Sequence, residues 1–155
     1  MKNKPPVQVN GSTALVQQFP WIQNDTIRGN ILGGEKLDKL RYLETIRNCE
    51  LVNDLKTMKC GDLTEIGGKG INLSGGQKAR VSLARAVYAD KDIYLMDDPI
   101  SALDASVRKK IINNVVLGHL KDKTRILITH AIDFIHLADR VFIMKDGRIV
   151  NQGSF

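Results

Sequence analysis

With 155 residues and 17.3 kDa, 43% hydrophobic and 26% charged, the chain has the size and balance of one folded domain, not of a disordered tail. No uninterrupted apolar run exceeds four residues (Ile93–Met96 is typical), which excludes a membrane-spanning helix, and residues 1–6 lack the apolar core of a secretory signal. The net charge of +6 hints at a polyanionic partner, but basic and acidic residues are interspersed and only 5% are aromatic, a pattern of solvated surface that argues against a stacking platform for single-stranded nucleic acid.

In chain order, residues 1–10 are polar and proline-bearing and are expected to fray. Thr13–Val16 reads as a short strand leading into a loop, Gln17–Asn24. From Asp25 to Met58 the apolar residues Ile27, Ile31, Leu40, Leu43, Ile46, Leu51 and Leu55 fall at helical spacing, which predicts a small helical insert. Cys49 and Cys60, within and just after it, fit neither a CxxC motif nor a zinc site, and two thiols suit a reducing, cytosolic compartment. A glycine-rich loop, Gly67–Leu73, precedes a strong helix from Ser74 to about Ala89. Asp92–Met96 has the pattern of a buried strand. Asp104–Gly118 reads as a helix with Val107, Ile111, Ile112 and Val115 on its apolar side. Thr124–Thr129 is a further strand and Ala131–Ala138 a short helix. Arg140–Lys145 then turns at Asp146-Gly147 into a last strand, Arg148–Asn151. This alternation predicts an α/β fold with a largely parallel sheet. Chemistry in such sheets collects at the carboxyl ends of strands, so the residues just after Met96 and Thr129 draw interest.

Three clusters carry chemistry. In Leu73–Gln77 (LSGGQ), Ser74 and Gln77 make a capping box. Stability alone does not explain two glycines in a first helical turn, each costing about 1 kcal/mol relative to alanine. Bare backbone at a helix N-terminus is instead suited to a phosphate. In Ile93–Asp98 an apolar strand ends in two carboxylates. One such group is a hard oxygen ligand for Mg²⁺, and its neighbour can orient or deprotonate water. Asp98 could also simply cap the turn at Pro99. His130 follows the Thr124–Thr129 strand, where an imidazole can hydrogen-bond a phosphate or an attacking water. His119 and His136 have no such context.

Taken together, these segments resemble the ATP-binding cassette (ABC) ATPase domain. Leu73–Gln77 is similar to the ABC signature without a change. Ile93–Asp97 resembles Walker B, Ser101–Asp104 the D-loop, His130 the switch histidine and Gln18 the Q-loop glutamine, with Gln17 where the family usually has proline. The resemblance implies a P-loop NTPase-like ABC ATPase fold with a helical signature subdomain. It implies ATP and Mg²⁺ as cofactors, with Asp98, His130 and Gln18 in catalytic positions. Ser74, Gly75, Gly76, Gln77 and Asp104 would contact nucleotide, and Asp97 and Gln18 would serve Mg²⁺. Lys78, Arg80 and Arg85 would lie near the triphosphate. Gln18–Ile31 is similar to the segment after the Q-loop in exporters of the multidrug-resistance-associated type, subfamily C. Thr64–Gly70 resembles the exporter loop that touches the membrane domains, with Gly68 where the family has glutamate. Asp98 replaces the glutamate usual for the catalytic base, as in the first nucleotide-binding domain of subfamily C. Aspartate is one methylene, about 1.5 Å, shorter, and a general base must lie within about 3 Å of the proton it takes.

A P-loop requires G-x-x-x-x-G-K-[ST], and no glycine here begins one. Gly68-Lys69 is followed by Gly70, and Gly29 and Gly34 are followed by Glu35. In the family the P-loop precedes the Q-loop by a helix and a strand, whereas only residues 1–17 precede Gln18. The expectation is therefore a nucleotide-binding domain lacking its N-terminal strands and P-loop. It would span residues 11–155, with a helical subdomain at about 25–89, and would not hydrolyse ATP alone. The signature would serve a partner's Walker A in a head-to-tail site, while transmembrane domains of an exporter would be the other partners. The parent would lie at the cytoplasmic side of a membrane, and the fragment itself would be soluble. A non-enzymatic fragment that binds a partner domain is the alternative. A chromosome-maintenance ATPase, and with it nucleic acid, is rejected because the stretch between Gln18 and Ser74 holds no sustained heptads. Soluble translation-associated ABC proteins fit less well with Trp21–Ile31 and Thr64–Gly70.

Overall fold

The structure, a computed structural model, describes residues 7–67 and 72–155. Part of the expected frayed start and most of the glycine-rich loop, including Gly68, lie outside the described residues. Three strands, β1 (Thr13–Val16), β4 (Ile93–Asp97) and β5 (Thr124–Ile128), form a parallel sheet in the order β1-β4-β5. Period-two alternation explains its two faces. Ala14, Val16, Tyr94 and Met96 turn into the core, while Leu15, Leu95, Ile126 and Ile128 stand on the other face, 37–59% exposed. Leu15, Leu95 and Ile126 are in register across all three strands. At the amino edge the Asp92 carboxylate accepts from both the backbone N–H and the hydroxyl of Ser12, each at 2.7 Å.

The stretch expected to be helical from Asp25 to Met58 is more divided. Asp25–Thr26 is a short strand, β2, paired antiparallel with β3 (Glu65–Ile66). Thr26 then N-caps α1 (Ile27–Leu32), which stops at Gly33 in the left-handed region (φ 57°). Asp38 caps α2 (Lys39–Asn48), and α3 (Val52–Thr57) follows. Ile27, Ile31, Ile46 and Leu51 are buried as their spacing predicts, but Leu40 and Leu43 are exposed at 81% and 43%. The inward face of α2 is formed by Tyr42, Thr45 and Ile46, because Tyr42 packs edge-on against Tyr88.

The central helix α4 (Gly75–Tyr88) buries Ala79, Val81, Leu83, Ala84, Ala86, Val87 and Tyr88, an apolar stripe that joins the helical part to the sheet. The Tyr88 hydroxyl donates to the Lys36 carbonyl (2.6 Å) and accepts from Asp38 N–H (2.8 Å), tying α4 to the start of α2. Beyond β4, α5 (Ala105–Ile111) does not run on to Gly118 as an α-helix. It widens into a π-helical stretch over Ile112–His119. Leu120 N–H reaches the Val115 carbonyl five residues back, which puts Val115 and Leu120, both fully buried, on one face. The short helix expected at Ala131–Ala138 is a 3₁₀ segment, Ile132–Leu137, whose capping position, Ala131, offers no side-chain acceptor. The hairpin β6 (Val141–Lys145) and β7 (Arg148–Gly153) turns at Asp146 and Gly147, both with positive φ, as a tight two-residue hairpin requires.

Candidate functional site

The N-terminus of α4 is built as the capping pattern dictates. Ser74 Oγ accepts from Gln77 N–H at 3.2 Å, and Gln77 Oε1 accepts from Ser74 N–H at 2.9 Å. Ser74 and Gly75 are exposed, so the first amides of α4 face outward under the positive end of the helix dipole. A Cβ on Gly76 would stand 3.1 Å from the Ala102 carbonyl oxygen, so the loop 101–104 lies close against this turn and would have to give by a few tenths of an ångström to admit a side chain. That loop is itself anchored by Asp104, the N-cap of α5. Its Oδ1 accepts from Ser106 N–H, the Ser106 hydroxyl and Val107 N–H. The Val107 N–H and the Ser106 hydroxyl hold this carboxyl below the usual carboxylate range.

Gln18, Asp97, Asp98 and His130 come to one edge of the parallel sheet, each just beyond or at the carboxyl end of β1, β4 or β5. Asp98 is buried, 7% exposed, and adopts a left-handed conformation (φ 43°), uncommon for a residue with a side chain. Its N–H donates to the Ile128 carbonyl (2.8 Å), and its own carbonyl accepts from the Ser101 N–H and hydroxyl. The backbone of Asp98 therefore does make the turn at Pro99. Its carboxylate is left to accept a long hydrogen bond from the Thr129 hydroxyl, 3.4 Å. Asp97, Gln18 and His130 are exposed and make no side-chain hydrogen bond or ion pair among the described residues. The sequence marks Thr129 only as the end of its strand, and its place directly before His130 is the signal for a role of its own.

Two basic residues expected near a triphosphate are engaged elsewhere. Arg80 pairs with Asp54 at 2.7 Å. Arg85 donates to the carbonyls of Trp21 (2.9 Å) and Asn30 (2.7 Å) and to Asn30 Oδ1 (2.8 Å), and its guanidinium lies 5.0 Å over the Trp21 ring. Burial lowers its pKa, a cost these acceptors offset. The fully buried Asn30 also bonds the Gln23 backbone and the Thr26 carbonyl. Arg85 and Asn30 thus fasten the loop after β1, which carries Gln18, to the last turns of α4. Asp54 and Asn30 were not legible locally, because their partners lie on other elements. The expected membrane-domain loop is described only to Gly67, where the Thr64 carbonyl accepts from Ile27 N–H (3.1 Å).

No cluster of three or more His, Cys, Asp or Glu side chains able to hold a metal occurs among the described residues, and no described helix is long and apolar enough to cross a membrane. The family profile described as ABC transporter matches residues 1–101. ABC transporter C family member 8 of Dictyostelium discoideum is 54% identical over 157 residues, covering 99% of this chain and 10% of that protein. Multidrug resistance protein mrp-7 of Caenorhabditis elegans is 52% identical over 151 residues, 96% of this chain and 10% of that protein. ATP-binding cassette sub-family C member 2 of Homo sapiens is 50% identical over 151 residues, again 96% and 10%. The chain spans a tenth of the length of these relatives.

Proposed function

The chain belongs to the ABC transporter family, and from that premise we propose that it is part of the nucleotide-binding domain of a subfamily C exporter. Residues 11–155 form that part, with the helical subdomain at about 25–89. It supplies the signature half of a composite ATP site, opposite the P-loop of a second nucleotide-binding domain. The parent transporter couples ATP binding and hydrolysis to solute export from the cytoplasmic side of a membrane through its transmembrane domains.

The observation that carries this proposal is the exposed, doubly capped turn at Ser74–Gln77 lying against the loop 101–104. It fits a triphosphate: the Gly75 and Gly76 backbone is bare, and the Ser74 hydroxyl, whose oxygen accepts the cap bond, keeps its proton free to donate. Gln77 and Asp104 hold the two segments in place through their caps. Mg²⁺ takes phosphate oxygens and water with only one or two carboxylates, and Asp97, at the end of β4, is one such group. Asp97 would hold the ion, directly or through water, with the Gln18 amide oxygen beside it. When bound, the ion neutralises charge developing on the phosphoryl oxygens. Asp98 Oδ accepts the proton of an attacking water, with short reach, and His130 Nε2 or Nδ1 hydrogen-bonds the water or the phosphate.

The test is to titrate the purified chain with Mg·ATP, alone and with a partner domain that has an intact P-loop. No turnover alone, activity gained with the partner, and loss of that gain in Ser74→Ala is the expected result. Tight ATP binding and turnover by the chain alone would overturn the half-site role. Partner binding without any gain would leave the non-enzymatic interaction fragment as the correct description.

A further inference from the structure

We propose that Asp54, on α3, is a positioning residue for the signature turn of α4, a role that rests on the half-site function above. Its side chain is 17% exposed and uses both oxygens on consecutive turns of α4. Oδ1 accepts from Gln77 Nε2 at 2.9 Å, and Oδ2 accepts from Arg80 Nη2 at 2.7 Å. An ionised carboxylate only accepts, so it fixes which way the Gln77 amide faces: NH₂ toward Asp54, Oε1 toward Ser74 N–H. Donation to a charged acceptor polarises that amide and strengthens the bond its oxygen accepts. The chain of contacts runs from Asp54 through the Gln77 side chain to the Ser74 backbone, and back from Gln77 N–H to Ser74 Oγ. One carboxylate, three residues into α3, thereby sets where the Ser74 hydroxyl points.

Arg80 makes the arrangement specific to a carboxylate. Its side chain is 11% exposed, and Asp54 is its ion-pair partner among the described residues. An asparagine at 54 would keep the shape but would have to face its NH₂ toward either Gln77 Nε2 or Arg80. Both are donors, so one contact is lost. A movement of α3 is transmitted to Ser74 by the same two bonds, which gives the helical part a direct grip on the nucleotide half-site.

The test uses the full-length transporter that carries this chain, with Asp54→Asn, Asp54→Ala and Asp54→Glu. Asp54→Asn is expected to raise the half-saturating ATP concentration about tenfold, which is 1.4 kcal/mol, with kcat within about twofold. Asp54→Glu recovers most of the loss, since it restores two anionic acceptors. Lower kcat with an unchanged half-saturating concentration would mean a structural role only and would overturn the proposal. A second readout, amide hydrogen exchange on the 155-residue chain, does not depend on ATP turnover. Asp54→Asn should speed exchange at Gln77 and Lys78 while Leu83–Val87 stay protected. Unchanged exchange at Gln77 overturns the positioning role. A wild-type transporter without ATPase activity would instead overturn the half-site function, and the exchange result would still decide the role of Asp54.

Discussion

The backbone of Gly76 and the carbonyl of Ala102 lie so close that a Cβ at 76 would fall 3.1 Å from that oxygen, a tight contact. Alanine here gains about 1 kcal/mol of helix propensity, and the tight contact offsets a comparable amount. Gly76→Ala is therefore expected to leave urea unfolding within about 1 kcal/mol of wild type, while ATP-dependent activity with a partner domain falls about tenfold or more because the bare turn is covered. Equal activity in the two proteins would show that the turn does not need to be bare.

The Arg85 guanidinium reaches three acceptors, the carbonyls of Trp21 and Asn30 and the Asn30 side chain, and a lysine cannot satisfy that fork. Arg85→Lys should cost about 2 kcal/mol of stability, the size expected when buried acceptors lose their donor. Trp21 is the single tryptophan and stacks under Arg85, so its fluorescence should shift to the red in Arg85→Lys before any unfolding. An unchanged spectrum would disconnect Trp21 from α4.

Asp62 receives two hydrogen bonds from the Arg28 guanidinium, at 2.8 and 3.0 Å. Burial alone would raise its pKa, but the Arg28 hydrogen bonds and charge bring it below the ordinary 3.8. A carboxyl depressed in the folded state contributes stability that is present above its unfolded pKa and lost as pH falls through the folded value. Asp62→Asn should therefore be less stable than wild type at pH 7 and show a shallower loss of stability below pH ~4. Parallel urea midpoints from pH 7 down to pH 2 would count against the pair.

Asp98 has the shorter of the two acidic side chains at a position whose backbone is already committed to the turn. In the full-length transporter Asp98→Glu should raise the ATP hydrolysis rate, by about tenfold if reach is what limits proton transfer. Asp98→Asn should not raise it. A slower Asp98→Glu protein would mean that the buried site, bounded by Thr129 and Ile128, cannot take the longer side chain.

Much of the architecture was legible because local rules and tertiary packing agree. The capping box at Ser74 and Gln77, the alternation of Tyr94 and Met96, and the Asp146-Gly147 turn are each written in adjacent residues. The carboxyl-edge positions of Asp97, Asp98 and His130 followed from the alternation of strands and helices, whereas Gln18 is singled out only by its resemblance to the Q-loop glutamine. Legibility failed where a distant partner decides. Leu40 and Leu43 kept helical spacing yet lost the inward face to Tyr42, drawn in by Tyr88. Val115 and Leu120 are both buried only because the backbone widens to a π-helical turn. Arg80 and Arg85 carry charge that suggested an anion, but Arg80 pairs with Asp54 and Arg85 donates to Asn30, both far away in sequence.

Arg85 near one end of α4 and Arg80 with Gln77 near the other leave that helix pinned twice along its length. At 1.5 Å per residue, Ser74 and Arg85 lie about 16 Å apart, and no hinge residue interrupts the span between Gln77 and Arg85. A rod held at both ends transmits displacement without absorbing it. Moving the loop after β1, where Trp21 sits, while Ser74 stays in place would require α4 to bend or the Arg85 hydrogen bonds to break.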